Sequence, residues 1–270
     1  MKPVAAIIVG NGINCDYELQ EAFTLAGAET ERVHLNDLLK GADMERYDII
    51  GLPGGFSFGD DTFAGNILAK KIIHSELKKK FVRHLDKGGL IFGACNGNQI
   101  GTVMNMIPAF GEVLGEPEIA YTNNDSARYE DRGNIHIKAV SQKSHWLKGI
   151  RQLNNIAVGH GEGKFYTKPE TLRELYRKDL VALKYVYADG RPANGEYPAN
   201  PNGAIDDIAG LASEQVLLMM PHPERAIRYY NQDGWTRRKS VLKREGKKPT
   251  GEGDGMKIFR NGVDYFLRKT

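Results

Sequence analysis

The chain has 270 residues, 41% of them hydrophobic and 26% charged, with 37 basic against 34 acidic side chains and a net charge of +3. That length allows one large domain or a domain with extensions, and the charge is too mild to argue for nucleic-acid binding. Cys15 and Cys95 are the only cysteines, so a disulfide framework is not expected and a cytoplasmic location is. The first apolar run is too short for a signal-peptide core or a membrane span.

Val4 to Val9 is continuously apolar, the pattern of a strand buried on both faces. Asp16 to Ala26 carries Leu19, Ala22, Phe23 and Ala26 at helical spacing, with Gly27 to end it. Glu31–Leu35 and Tyr47–Leu52 read as further strands, the second running into Pro53-Gly54-Gly55. Residues 62–86 read as helical, Leu90–Phe92 as a strand, and Gln99–Met106 as the next helix. Such alternation predicts a parallel sheet with helices on both faces, whose functional loops lie at the carboxyl ends of the strands. The second half reads differently. Ile135–Val140, Ile156–Val158 and Val181–Val186 look like partly antiparallel strands, and Val216–Met220 like a last buried one. Beyond Trp235 residues 237–248 are strongly basic, and a short helical close follows over Met256–Leu267.

Gly93-Ala94-Cys95-Asn96-Gly97 stands directly behind a strand. Small residues on both sides are what a sharp strand-to-helix turn requires, with the nucleophile at its apex. A cysteine there lies at a helix N-terminus, which favours the thiolate. Such a thiol needs a base, and the base an orienting group. His222 and Glu224, in a segment that Pro221 and Pro223 stiffen and hold out of a helix, would present both on one face if that segment is extended. The Gly54-Gly55 turn can point backbone N–H groups into a site, as an oxyanion hole requires. No phosphate-cradling motif accompanies it.

These residues resemble those of a class I (triad) glutamine amidotransferase. Within that class Gly54–Asp60, Cys95-Asn96-Gly97-Asn98-Gln99, His160–Phe165, Asn200–Gly203 and Met219–Arg225 are similar in order and spacing to the glutaminase subunits of phosphoribosylformylglycinamidine synthase. The resemblance implies a flavodoxin-like α/β fold with a mostly parallel central sheet, helices on both faces and a small antiparallel region. It implies a glutaminase whose Cys95 attacks the carboxamide, with His222 handling protons and Glu224 orienting it, through a glutamyl thioester. Gly55 and Asn96 would supply oxyanion N–H groups, and Gln99 would hold the substrate. His160 and Glu162 would belong to the glutamine pocket or the face toward the partner, with plain loop packing as the alternative. Ammonia would pass to a synthetase subunit that uses ATP and magnesium to convert formylglycinamide ribonucleotide to formylglycinamidine ribonucleotide in purine synthesis. A small bridging subunit is implied as well. No cofactor and no metal are expected in this chain.

Asn98 departs from the family pattern, where an aromatic residue is common. Cys15 matches a family position, has no base near it in sequence, and reads as structural. The expected organisation is an amidotransferase domain over 1–230 and a basic, glycine-containing extension over 231–270 packed on it. The 237–248 stretch reads as a solvated loop, with docking to an acidic face of the synthetase as the alternative. Two other readings remain: a stand-alone cysteine hydrolase of the same fold, and a non-catalytic scaffold or regulator.

Overall fold

The computed structural model describes residues 1–232, 234–248 and 251–268. Its strands are β1 (Val4–Val9), β2 (Glu29–His34), β3 (Ile49–Leu52), β4 (Leu90–Ala94), β5 (Ala120–Thr122), β6 (Glu130–Ala139), β7 (Gln152–His160), β8 (Lys164–Tyr166), β9 (Val181–Val186), β10 (Ile208–Ala212) and β11 (Val216–Met219). The helices are α1 (Asp16–Ala26), α2 (Leu35–Leu39), α3 (Asn66–Ile73), α4 (Leu77–Asp86), α5 (Asn96–Val103), α6 (Pro169–Arg177), α7 (Trp235–Arg244) and α8 (Met256–Leu267).

Nine strands form one sheet in the order β2-β1-β3-β4-β11-β10-β9-β6-β7, and β5 pairs with β8 separately. The first five run parallel, and the remaining four add antiparallel pairings to the same sheet. The antiparallel strands expected in the second half are therefore a continuation of the central sheet. Because β3, β4 and β11 are neighbours and parallel, their carboxyl ends open on one edge. Gly54, Cys95 and His222 follow those three ends, so residues far apart in sequence converge there.

Local chemistry sets the boundaries that periodicity blurs. The helical stretch over 62–86 is two helices, because Ser75 intervenes. Its hydroxyl donates to Ile72 O (2.9 Å) and accepts from the Leu77 N–H (3.2 Å), closing α3 and opening α4. Strand β2 ends at His34, whose ring accepts the Asn36 N–H at 3.1 Å and caps α2. The basic stretch, expected as a loop, is largely the helix α7, on which no side chain is buried. Lysine and arginine are good helix formers, and their charge hides any apolar stripe.

Helix α8 packs behind the nucleophile strand. Phe259 meets Phe23 and Phe92 edge to face, with ring centroids 5.1 and 5.2 Å apart, and Trp146 lies 5.7 Å from Phe92. All four rings are buried, and such contacts add to the area term of burial. Among the described residues no helix is long and apolar enough to cross a membrane.

Candidate active site

Cys95 occupies the sharp turn that its neighbours foretell. It has φ 51° and ψ −113°, a conformation that a non-glycine residue holds only where the surroundings enforce it. Helix α5 starts at the next residue, earlier than the expected Gln99. Gly97 explains why the turn tolerates no side chain there: a Cβ would lie 1.8 Å from Leu52 O on β3. The Cys95 thiol is almost fully buried and donates to Gly159 O at 3.2 Å.

His222 and Glu224 are buried beside it at 1% and 2% exposure. Nδ1 of His222 meets Glu224 Oε1 at 2.5 Å. The local geometry differs from the extended segment expected, because Pro223–Ala226 forms a 3-10 turn. That turn swings Glu224 back onto the ring, and the His222 N–H holds Ala157 O at 2.8 Å to fix the segment against β7. Nε2 of His222 is buried with no hydrogen-bond partner among the described residues. Burial opposes charging the ring, but the Glu224 carboxylate and the Cys95 and Cys15 sulfurs outweigh it and hold its pKa well above the ordinary imidazole value.

Gly54 is the hub of this cluster. A Cβ there would lie 2.6 Å from His222 Cε1, 3.2 Å from Cys15 Sγ and 3.3 Å from Cys95 Cβ. Only glycine lets the three elements close around one point. Gly55 follows, bridged to Ile13. The hydrogen bonds of that bridge run from Phe56 N–H to Gly12 O and from Asn14 N–H to Gly54 O, so the Gly55 N–H takes no part in them. The Asn96 N–H is in the first turn of α5, where no intrahelical acceptor exists. Both N–H groups are thus left out of the local backbone bonding, Gly55 beside Gly54 and Asn96 beside Cys95.

The fold brings in a residue that sequence reasoning set aside. Cys15, read as structural, lies just before α1, and its sulfur shares a small volume with His222 and Glu224, their ligand atoms all within 4.8 Å. Arg225 Nη2 donates to Cys15 Sγ at 3.0 Å. Nothing local in sequence signals this, because the contact joins positions at opposite ends of the chain.

The other expected residues divide. Gln99 is buried, with Nε2 donating to Glu162 O (2.7 Å) and Oε1 accepting from Asn96 Nδ2 (3.1 Å). It braces the loop after β7 against the first turn of α5. Glu162 adds to that brace by accepting the Ala64 N–H at 3.0 Å. His160 is buried between Asn124 Oδ1 (3.1 Å, on Nδ1) and Asn202 Nδ2 (3.5 Å, on Nε2). Burial, and then the nearby His222, lower its pKa to about 4, so it is neutral. Both ring nitrogens are occupied, and the packing alternative is the one its surroundings favour. At the surface Phe56 and Tyr129 bring their rings to 6.0 Å beside this cluster, both exposed.

Comparison with known proteins agrees with this geometry. Residues 2–266 match the family model of the CobB/CobQ-like glutamine amidotransferase domain. The chain is 40% identical over 268 residues to the phosphoribosylformylglycinamidine synthase subunit PurQ of Methanococcus maripaludis, covering 98% of this chain and 97% of that one. It is 39% identical over 257 residues to PurQ of Dehalococcoides mccartyi, covering 94% of each. Among solved structures it is similar to a chain in the PurLQS structure from Thermotoga maritima, with TM-score 0.71 and 25% identity over 98% of this chain and 100% of that chain. A glutamine amidotransferase from the same organism shares the fold at TM-score 0.54 and 12% identity, covering 100% of each chain. Sequence, fold and site agree, and the chain belongs to the class I glutamine amidotransferases, in the family of the PurQ subunits of phosphoribosylformylglycinamidine synthase.

Proposed function

We propose that this chain is the glutaminase subunit of phosphoribosylformylglycinamidine synthase, releasing ammonia from glutamine for a synthetase partner in purine synthesis. The observation that carries the reading is the meeting of Cys95, His222 and Glu224 at one sheet edge in a chain similar to PurQ over nearly its whole length. Cys95 Sγ attacks the carboxamide carbon and the C–N bond breaks. The Cys95 proton passes to His222 Nε2, the ring nitrogen not tied to Glu224, giving the thiolate–imidazolium pair that the raised His222 pKa favours, and the ring then hands that proton to the departing nitrogen. Gly55 and Asn96 N–H groups hold the oxyanion. Water, deprotonated by His222, then cleaves the glutamyl thioester to glutamate. Glu224 fixes the ring tautomer and stabilises the imidazolium. Because the thiol is directed at Gly159 O, a rotation of the Cys95 side chain must precede proton transfer.

ATP and magnesium act on the synthetase, and this chain needs neither. We place the complex in the cytoplasm, with a small bridging subunit beside the synthetase, in line with the PurLQS assembly named for the similar structure. That the extension beyond 230 packs on the amidotransferase domain is supported by α8, whose Phe259 lies against Phe23 and Phe92. The test is Cys95→Ser in the assembled enzyme. Glutamine-dependent synthesis falls by at least ~10³-fold while synthesis from added ammonia persists. Retained glutamine use would remove Cys95 from the role.

A further inference from the structure

A second pole of the site lies one hydrogen-bond step from the nucleophile. Asn96, next to Cys95, donates through Nδ2 to Asp60 Oδ1 (3.1 Å) as well as to Gln99, and its Oδ1 accepts the Ser57 N–H (3.1 Å). Asp60 is half-buried, and the Glu162 carboxylate is near enough to act on its charge. Burial first and Glu162 second raise the Asp60 pKa to about 6. Neither carboxylate forms a salt bridge to a lysine or arginine in the described structure. Ser57 Oγ, on the same loop, is 1% exposed and has no hydrogen-bond partner among the described residues. The loop is held under strain, with φ of 55°, 53° and 70° at Phe58, Asp60 and Thr62, a conformation that tends to persist where function fixes it.

We infer that Asp60, with Glu162, forms the subsite that receives the α-ammonium group of the amino-acid substrate, and that Ser57 Oγ completes it. The inference rests on the glutaminase reading and deepens it. A substrate whose carboxamide carbon sits at Cys95 Sγ carries its ammonium three carbon–carbon bonds and one carbon–nitrogen bond away, and Asn96, next to Cys95, reaches Asp60 through its own side chain. A half-buried pair of acceptor-only groups without a protein cation fits a cation supplied by the ligand. Its arrival relieves the repulsion between Asp60 and Glu162. Asn96 then ties the two poles together, its backbone N–H at the oxyanion and its side chain on the ammonium-binding carboxylate. Asp60 is a specificity residue in this scheme and takes no part in bond cleavage.

The test compares glutamine with glutaramate, which has the same carboxamide arm and no ammonium group, in the assembled synthetase complex. Asp60→Asn lowers kcat/KM for glutamine by about 10- to 100-fold, the size expected of a charge-assisted hydrogen bond. The change falls on KM and leaves glutaramate unaffected. Where glutaramate turns over too slowly to follow, its inhibition constant is read instead, and it too is unchanged. Synthesis from added ammonia by the same variant confirms that the subunit is folded and docked. Equal losses for both amides would overturn the subsite and make Asp60 a support for Asn96. A wild-type complex that uses ammonia but not glutamine would overturn the glutaminase reading itself.

Discussion

The two poles of the site are built in opposite ways. The thiol pole stands on the ends of β4 and β11, with Cys95, His222 and Glu224 all nearly or fully buried. The carboxylate pole hangs on the loop after β3 and the loop after β7, with Asp60 half-buried and its neighbours in strained backbone. Reacting atoms need fixed geometry, which adjacent parallel strands supply; a group that only has to recognise a charge tolerates a loop. Changes at the thiol pole therefore act on kcat, and changes at the carboxylate pole act on KM.

The largest expected effect that sharpens this contrast comes from Glu224→Gln. It leaves the ring in place but removes the charge that stabilises the imidazolium, and kcat falls by about 10²- to 10⁴-fold with little change in glutamine KM. The same variant has a signature in stability. His222 holds its proton more tightly in the folded chain than in the unfolded one, so the wild type gains stability that is full below the unfolded imidazole pKa. That gain is lost as pH rises through the raised folded value. The stability deficit of Glu224→Gln is thus greatest at acid pH and shrinks on the alkaline side, as chemical denaturation at several pH values will report. A deficit that does not vary with pH would break the link between the carboxylate and the ring charge.

The smallest effect lies at the other pole. Ser57→Ala deletes a buried hydroxyl that has no hydrogen-bond partner among the described residues, so stability changes by no more than about 1 kcal/mol. Glutamine KM rises by about 2- to 10-fold with kcat retained. A loss in kcat instead would place Ser57 with the reacting groups and blur the division between the poles.

The two poles also differ in how far the sequence discloses them. The elbow is legible because its steric demand dictates residue types: Gly97 faces Leu52 O and Gly54 faces His222, and neither position admits a Cβ. His222 and Glu224 are legible as a pair, although the turn at Pro223–Ala226, rather than an extended strand, is what joins them. Cys15 was not legible. Its neighbours His222 and Arg225 are remote in sequence, and only the β1–β3–β4–β11 order brings them together. Asp60 stood inside a recognisable motif, yet a lone carboxylate in a glycine-rich loop carries no sign that Glu162 will face it. The helix α7 was hidden for another reason, since a run of cations with no buried face gives no periodic signal.

The arrangement places two thiols around Gly54 and assigns the chemistry to one of them. The most direct measurement is reaction of the assembled enzyme with a chloroketone analogue of glutamine, followed by peptide mapping of the label. The account predicts a single label on the peptide carrying Cys95, prevented by excess glutamine, with Cys15 unmodified under Arg225. Glutamine-protected labelling of Cys15 would contradict it.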